Sequence, residues 1–159
     1  MDGAGLLKLT HVALAMALVT GIVGRWLLLA AAQRSERLER TEAVLEASEP
    51  FEMIVRVSSF LVLAAGLLTA WMQGYAWLGL TTGWMLAALV LSLGLFLLVP
   101  TVFLPKGRRF AVALDGARAA GEVTAELRAS FADPILRAAH VAELAALAII
   151  VALMVLKPF

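Results

Sequence analysis

Three side chains at one end of an apolar run could do chemistry. Arg137, His140 and Glu143 are spaced i,i+3 in PILRAAHVAELAALAIIVALMVLKPF. On a helix they form one stripe about 120° wide. An imidazole beside a carboxylate can hold a proton, accept one from a partner, or close an ion pair with a guanidinium. Two guanidiniums are available in similar surroundings, Arg25 in GIVGRWLLLA and Arg56 in FEMIVRVSSF. A second histidine, His11, stands in KLTHVALAMALVTG. A lone imidazole in an apolar helix either bonds to a backbone carbonyl or ligates a metal such as haem iron. Serine, histidine and acid do not fall into a nucleophilic set, and imidazole plus carboxylate at 140 and 143 gives too few ligands for a specific metal site. The expectation is therefore no catalytic residues and no metal. GAGLLK near the start is not a phosphate loop, because no strand precedes it.

The elements that must position these groups are membrane spans. Of 159 residues, 62% are hydrophobic and 16% charged, where soluble domains average about 45–50% and about 25%. Mean hydropathy is +0.93. A spanning helix needs about 20 apolar residues, and four stretches qualify: 6–32, 51–73, 78–104 and 135–156. Nothing alternates as barrel strands would. The fold class is all-α, a four-helix transmembrane bundle in one domain over residues 1–159. The first stretch is longer than the roughly 7–15 residues of a signal peptide's apolar region and contains Arg25, so it reads as a retained span. A net charge of +1 argues against nucleic acid as a partner. The absence of cysteine excludes disulfides and thiolate sites.

Charge orients the spans. Arg34, Arg37 and Arg40 lie in the loop 33–50, and Lys106, Arg108, Arg109, Arg118 and Arg128 in the loop 105–134. The positive-inside rule puts both loops in the cytoplasm and both termini outside. Trp71, Tyr75, Trp77 and Trp84 then mark the outer boundary. Asp133-Pro134 reads as a helix start, an N-cap before a first-turn proline, and Ser48 with Pro50 reads as another. Glu36 and Arg40, and Leu38 with Leu45, suggest that the first helix continues into the cytoplasm. Pro100 should kink the third span. Val123, Leu127 and Phe131 predict a short amphipathic helix on the membrane or the bundle. Gly79 and Gly83 fit either a helix contact or a loose turn.

Depth follows from 1.5 Å per residue. His140 and Glu143 lie about 9 Å and about 13 Å in from Pro134, at the level of Arg25 and Arg56 in the inner leaflet. Arg137 is shallow and reads as a headgroup anchor. Glu52, Arg56, Ser59 and Gly66 share a face, and Ala13, Ala17, Gly21 and Gly24 make a groove another helix can enter. Glu143 is too short to reach water, so it should pair with an arginine or carry a proton. The expected network is Arg25 and Arg56 holding Glu143, with His140 completing it. It either keeps the helices in register or works as a proton or ligand site. His11 falls in the opposite leaflet, so one haem cannot join it to His140 within a single chain.

KLTHVAL, AAGLLTAW, GWMLAALVLSLGLFLLVP and the closing LMVLKP, with the polar third loop, resemble the bacterial integral membrane family known as domain of unknown function 2269. The resemblance covers nearly the whole chain. It implies four spans and the plasma (inner) membrane, and brings no activity or catalytic residue. His11 and Arg25 are also similar to the first span of small haem-binding membrane protoporphyrinogen oxidases. That likeness implies haem as cofactor, with His11 as ligand and Arg25 toward a propionate, although about 21 Å separates the two along the helix.

Three functions remain open at this point. One is a non-enzymatic structural or partner-binding bundle in the lipid bilayer, as a homo-oligomer or in a larger membrane complex. The second is a haem- or porphyrin-linked redox protein, and the third a proton or small-solute conduit.

Overall fold

The computed structural model describes residues 2–158. The first and last positions of the chain lie outside the described residues. Six helices follow one another: α1 (Gly3–Gln33), α2 (Leu38–Met72), α3 (Gly83–Leu98), α4 (Leu104–Ala120), α5 (Ala125–Phe131) and α6 (Pro134–Leu156). A π-helical segment, Val99–Phe103, joins α3 to α4 without a break. No strand occurs among the described residues.

Four helical stretches are long and apolar enough to cross a membrane: Gly3–Gln33, Leu38–Met72, Gly83–Ala120 and Ala125–Leu156. Their surfaces confirm what solvent they suit. Met16, Phe60, Leu97 and Val141 are each about two-thirds exposed. Such a surface would drive aggregation in water, whereas in lipid it is the proper exterior.

α1 lies against α2, and α3 against α6. The close approach of α1 to α2 is made by small residues, as the groove in the sequence suggested. A Cβ on Gly21 would sit 2.8 Å from a Val55 methyl and 3.2 Å from the Phe51 carbonyl oxygen. A Cβ on Gly24 would enter the Phe51 ring. The two helix pairs meet where α6 touches α1. Phe60 of α2 packs against Phe96 of α3, the tilted rings 5.1 Å apart, closing the ring of four.

Helix ends follow local chemistry. Asp133 caps α6, accepting from the backbone N–H groups of Ile135 (2.9 Å) and Leu136 (3.1 Å). Thr124 caps α5 in the same way. Gly79 lies in a 3₁₀ turn with φ of +84°, so the Gly79–Gly83 pair is a turn and not a helix contact.

Two local expectations need correcting. The helical extension on the loop side belongs to α2, not α1: the first helix stops at Gln33 and a new one begins at Leu38. Ser48 and Pro50 therefore do not open a helix; Pro50 lies inside α2. Proline leaves the carbonyl four residues earlier without its donor. Here that residue is Glu46, and both Glu46 and Pro50 are exposed, so water can satisfy it.

At 35 residues, α2 runs about 52 Å, well beyond a hydrocarbon core of about 30 Å. Its overhang builds a small core outside the spans. Leu38, Ala117 and Leu127 are buried together, with Phe110, Ala113, Leu114, Val123 and Phe131 packed around them. The short helix read from Val123, Leu127 and Phe131 is α5, and Leu127 is fully buried. Arg118 ties α4 to α2 through Glu42 at 2.6 Å.

Candidate functional site: a buried ion pair between α1 and α6

Each member of the site is placed by a different constraint. Gly21 and Gly24 draw α1 onto α2, and one residue further Arg25 turns toward α6. The capped start of α6 fixes the register of His140 and Glu143, three residues apart on its inner face. The π segment supplies the fourth member, Phe103. Two prolines explain that segment: Pro100 and Pro105 lack the N–H groups an α-helix would use, and Leu104 donates instead to Val99, five residues back. Wide turns of this kind shift side chains about the helix axis.

One guanidinium nitrogen of Arg25, Nη2, donates to both oxygens of Glu143, at 2.9 Å to Oε1 and 2.7 Å to Oε2. His140 Nδ1 lies 3.5 Å from Glu143 Oε2, at the outer limit of a hydrogen bond. The Phe103 ring covers both partners of the carboxylate, 5.1 Å from the His140 ring and 5.4 Å from the Arg25 guanidinium carbon. All three polar side chains are largely shielded, with 14% of Arg25, 10% of Glu143 and 12% of His140 exposed. The Nε of Arg25 is buried and has no partner.

The structure thus brings Arg25, His140 and Glu143 together and leaves Arg56 out. Arg56 is exposed on α2 and makes no ion pair with Glu143 among the described residues. The buried face of α2 runs through Thr41, Ser48, Ser58 and Ala65, and Arg56 stands off it. Arg137 is exposed at the start of α6. Phe103 was not singled out in the sequence, where an aromatic between two prolines carries no distinguishing signal.

His11 lies apart from this site, in the seam between α1 and α2. Its Nδ1 is 3.0 Å from the carbonyl oxygen of Val62, so Nδ1–H donates. Its ring edge fills the space a Cβ on Gly66 would need, 2.9 Å from Cε1. Glycine at 66 is what admits the imidazole. Among the described residues no group of three or more His, Asp or Glu side chains is gathered to hold a metal ion.

A ring of four apolar helices with lipid-suited exteriors and one buried ion pair defines a multi-pass integral membrane protein. The chain belongs to the family described as predicted integral membrane protein (DUF2269), whose model matches residues 5–158. No curated protein and no solved structure matches the chain.

Proposed function

We propose that this protein is a non-enzymatic bundle of the plasma (inner) membrane, a structural or partner-binding unit, with both charged loops in the cytoplasm and both termini outside. The observation that carries the reading is the Arg25–Glu143 pair. Its carboxylate oxygens are both engaged by one nitrogen, within a shielded setting. A charge in hydrocarbon costs several kcal/mol unless paired, and pairing across α1 and α6 fixes how the two helix pairs meet. Buried ion pairs serve register best where two packings would otherwise compete. His140 and Phe103 complete the enclosure.

Orientation rests on the eight Lys and Arg residues named above, which fall in the two charged stretches 33–50 and 105–134. The absence of cysteine makes the test clean. Single cysteines at Ala43, Ala119 and Ala76, all exposed, are reacted in intact cells with a membrane-impermeant maleimide. Ala76→Cys should label at once, and the other two only after permeabilisation. The reverse pattern would overturn the orientation.

A further inference from the structure

A second polar arrangement lies at the loop end, apart from the Arg25 pair. A cavity of about 190 Å³ opens between α4, α5 and the start of α6, lined by Lys106, Arg109, Ala129, Ser130 and Asp133. Its charges do not cancel. Lys106 is paired with Asp133. The Lys106 ammonium, with the backbone N–H of Leu136, holds the Asp133 carboxyl below its usual range. Arg109 is in no ion pair among the described residues. It also lines an adjoining groove with Glu126, yet the two do not form a salt bridge. The cavity therefore keeps one uncompensated guanidinium, beside the Ser130 hydroxyl, which donates to the Glu126 carbonyl and can turn to another acceptor.

Depth selects the ligand. Lys106 and Arg109 follow the apolar run that ends at Leu104, by two and five residues. Along a helix that is about 3 Å and about 8 Å, within the headgroup layer outside the hydrocarbon. Asp133 precedes the apolar run of α6 by two residues. On the lipid side of these groups Leu104 and Ile135 are each more than half exposed, an apolar surface beside which an acyl chain can lie.

We infer that this cavity binds the phosphodiester headgroup of an anionic phospholipid, with Arg109 as its principal charge. Guanidinium suits phosphate because its planar donors match two oxygens at once. Lys106 and Asp133 set the walls, and Ser130 supplies a hydroxyl.

The test is binding of phosphatidylglycerol to the full chain in a mild non-ionic detergent, followed by native mass spectrometry. Wild type, Arg109→Gln and Arg108→Gln are compared. Arg108 has the same charge and nearly the same depth but does not line the cavity, and both arginine side chains are exposed, so folding is preserved. Arg109→Gln should weaken binding about fivefold, the worth of one basic residue near an anionic lipid surface, while Arg108→Gln stays near wild type. Equal losses in the two variants would show a diffuse charge effect and overturn the site. Inorganic phosphate at the same concentration should not displace the lipid; full displacement would overturn the choice of a lipid over a free anion.

Discussion

Replacing Glu143 by glutamine removes the charge that Arg25 faces while leaving the shape of the side chain nearly unchanged. The Glu143 side chain is 10% exposed, and the shortest contact to Arg25 is 2.7 Å. Breaking a buried pair by removing one partner costs about 3–5 kcal/mol in soluble proteins. Two features lower that figure here. Glutamine still accepts one hydrogen bond, and the arginine stem can carry its charge toward the headgroups. A loss of about 2–3 kcal/mol follows, equivalent to a fall in melting temperature of roughly 4–12 °C for a chain of this size. The more discriminating experiment is a double-mutant cycle, read by reversible unfolding in mixed detergent micelles. Arg25→Met and Glu143→Leu should each destabilise, since each strands a buried charge. The double variant should recover much of the loss, because an apolar pair of similar volume substitutes well for a buried ion pair. The coupling should reach about 2 kcal/mol. Single effects that add within about 0.5 kcal/mol, as independent sites do, would refute the claim that the two residues hold α1 to α6 through each other.

Other outcomes follow from the packing. Gly21→Ala should destabilise by about 1–3 kcal/mol through overpacking at the α1–α2 seam, more than alanine gains in helix propensity. Gly94→Ala, where nothing lies within 4 Å, should instead stabilise by up to about 1 kcal/mol; both are read from melting in detergent, and effects of the same sign would contradict the seam. Leu127→Ala should open the small core outside the spans, at about 2–5 kcal/mol, and speed tryptic cleavage next to Arg118 and Arg128 without changing membrane insertion. Unaltered cleavage kinetics would count against that core. Because Asp133 is held below its ordinary pKa, its contribution is fully present above the usual carboxylate value, about 3.9, and is lost as pH falls through the lower folded value. Asp133→Asn should flatten the acid limb of a melting profile taken from pH 7 to pH 3, and an unchanged limb would show that the Lys106 contact does not matter.

The spans were legible because hydrocarbon demands long apolar runs, and little else produces them. The pairing of Arg25 with Glu143 was legible as depth, since 1.5 Å per residue places both at one level once the spans are drawn. Angle was harder. Arg56 has the right depth, but α2 buries the face through Ser58 and Ala65, and a position two residues before Ser58 points elsewhere. The register of that face is set over 35 residues of continuous helix, and reading Pro50 as a start hid the first third of it. Pro50 does not end α2, and the Glu46 carbonyl it strands is exposed to water. The π segment was hidden for a related reason: Pro100 signalled a disturbance, but only together with Pro105 does it produce a widened turn that sets Phe103 over Arg25 and His140. Leu127 could be placed from its four-residue spacing with Val123 and Phe131, whereas its contact with Leu38, far away in sequence, depends on α2 overhanging the membrane.

The most direct test of the account is proton flux through liposomes reconstituted with wild type or Glu143→Gln and loaded with a pH-sensitive dye. If Arg25, Glu143 and His140 hold helices together and carry nothing, an imposed pH gradient should decay no faster than in empty vesicles, for both proteins. A leak present in the wild type and abolished by Glu143→Gln would contradict the account and make the buried pair part of a proton path.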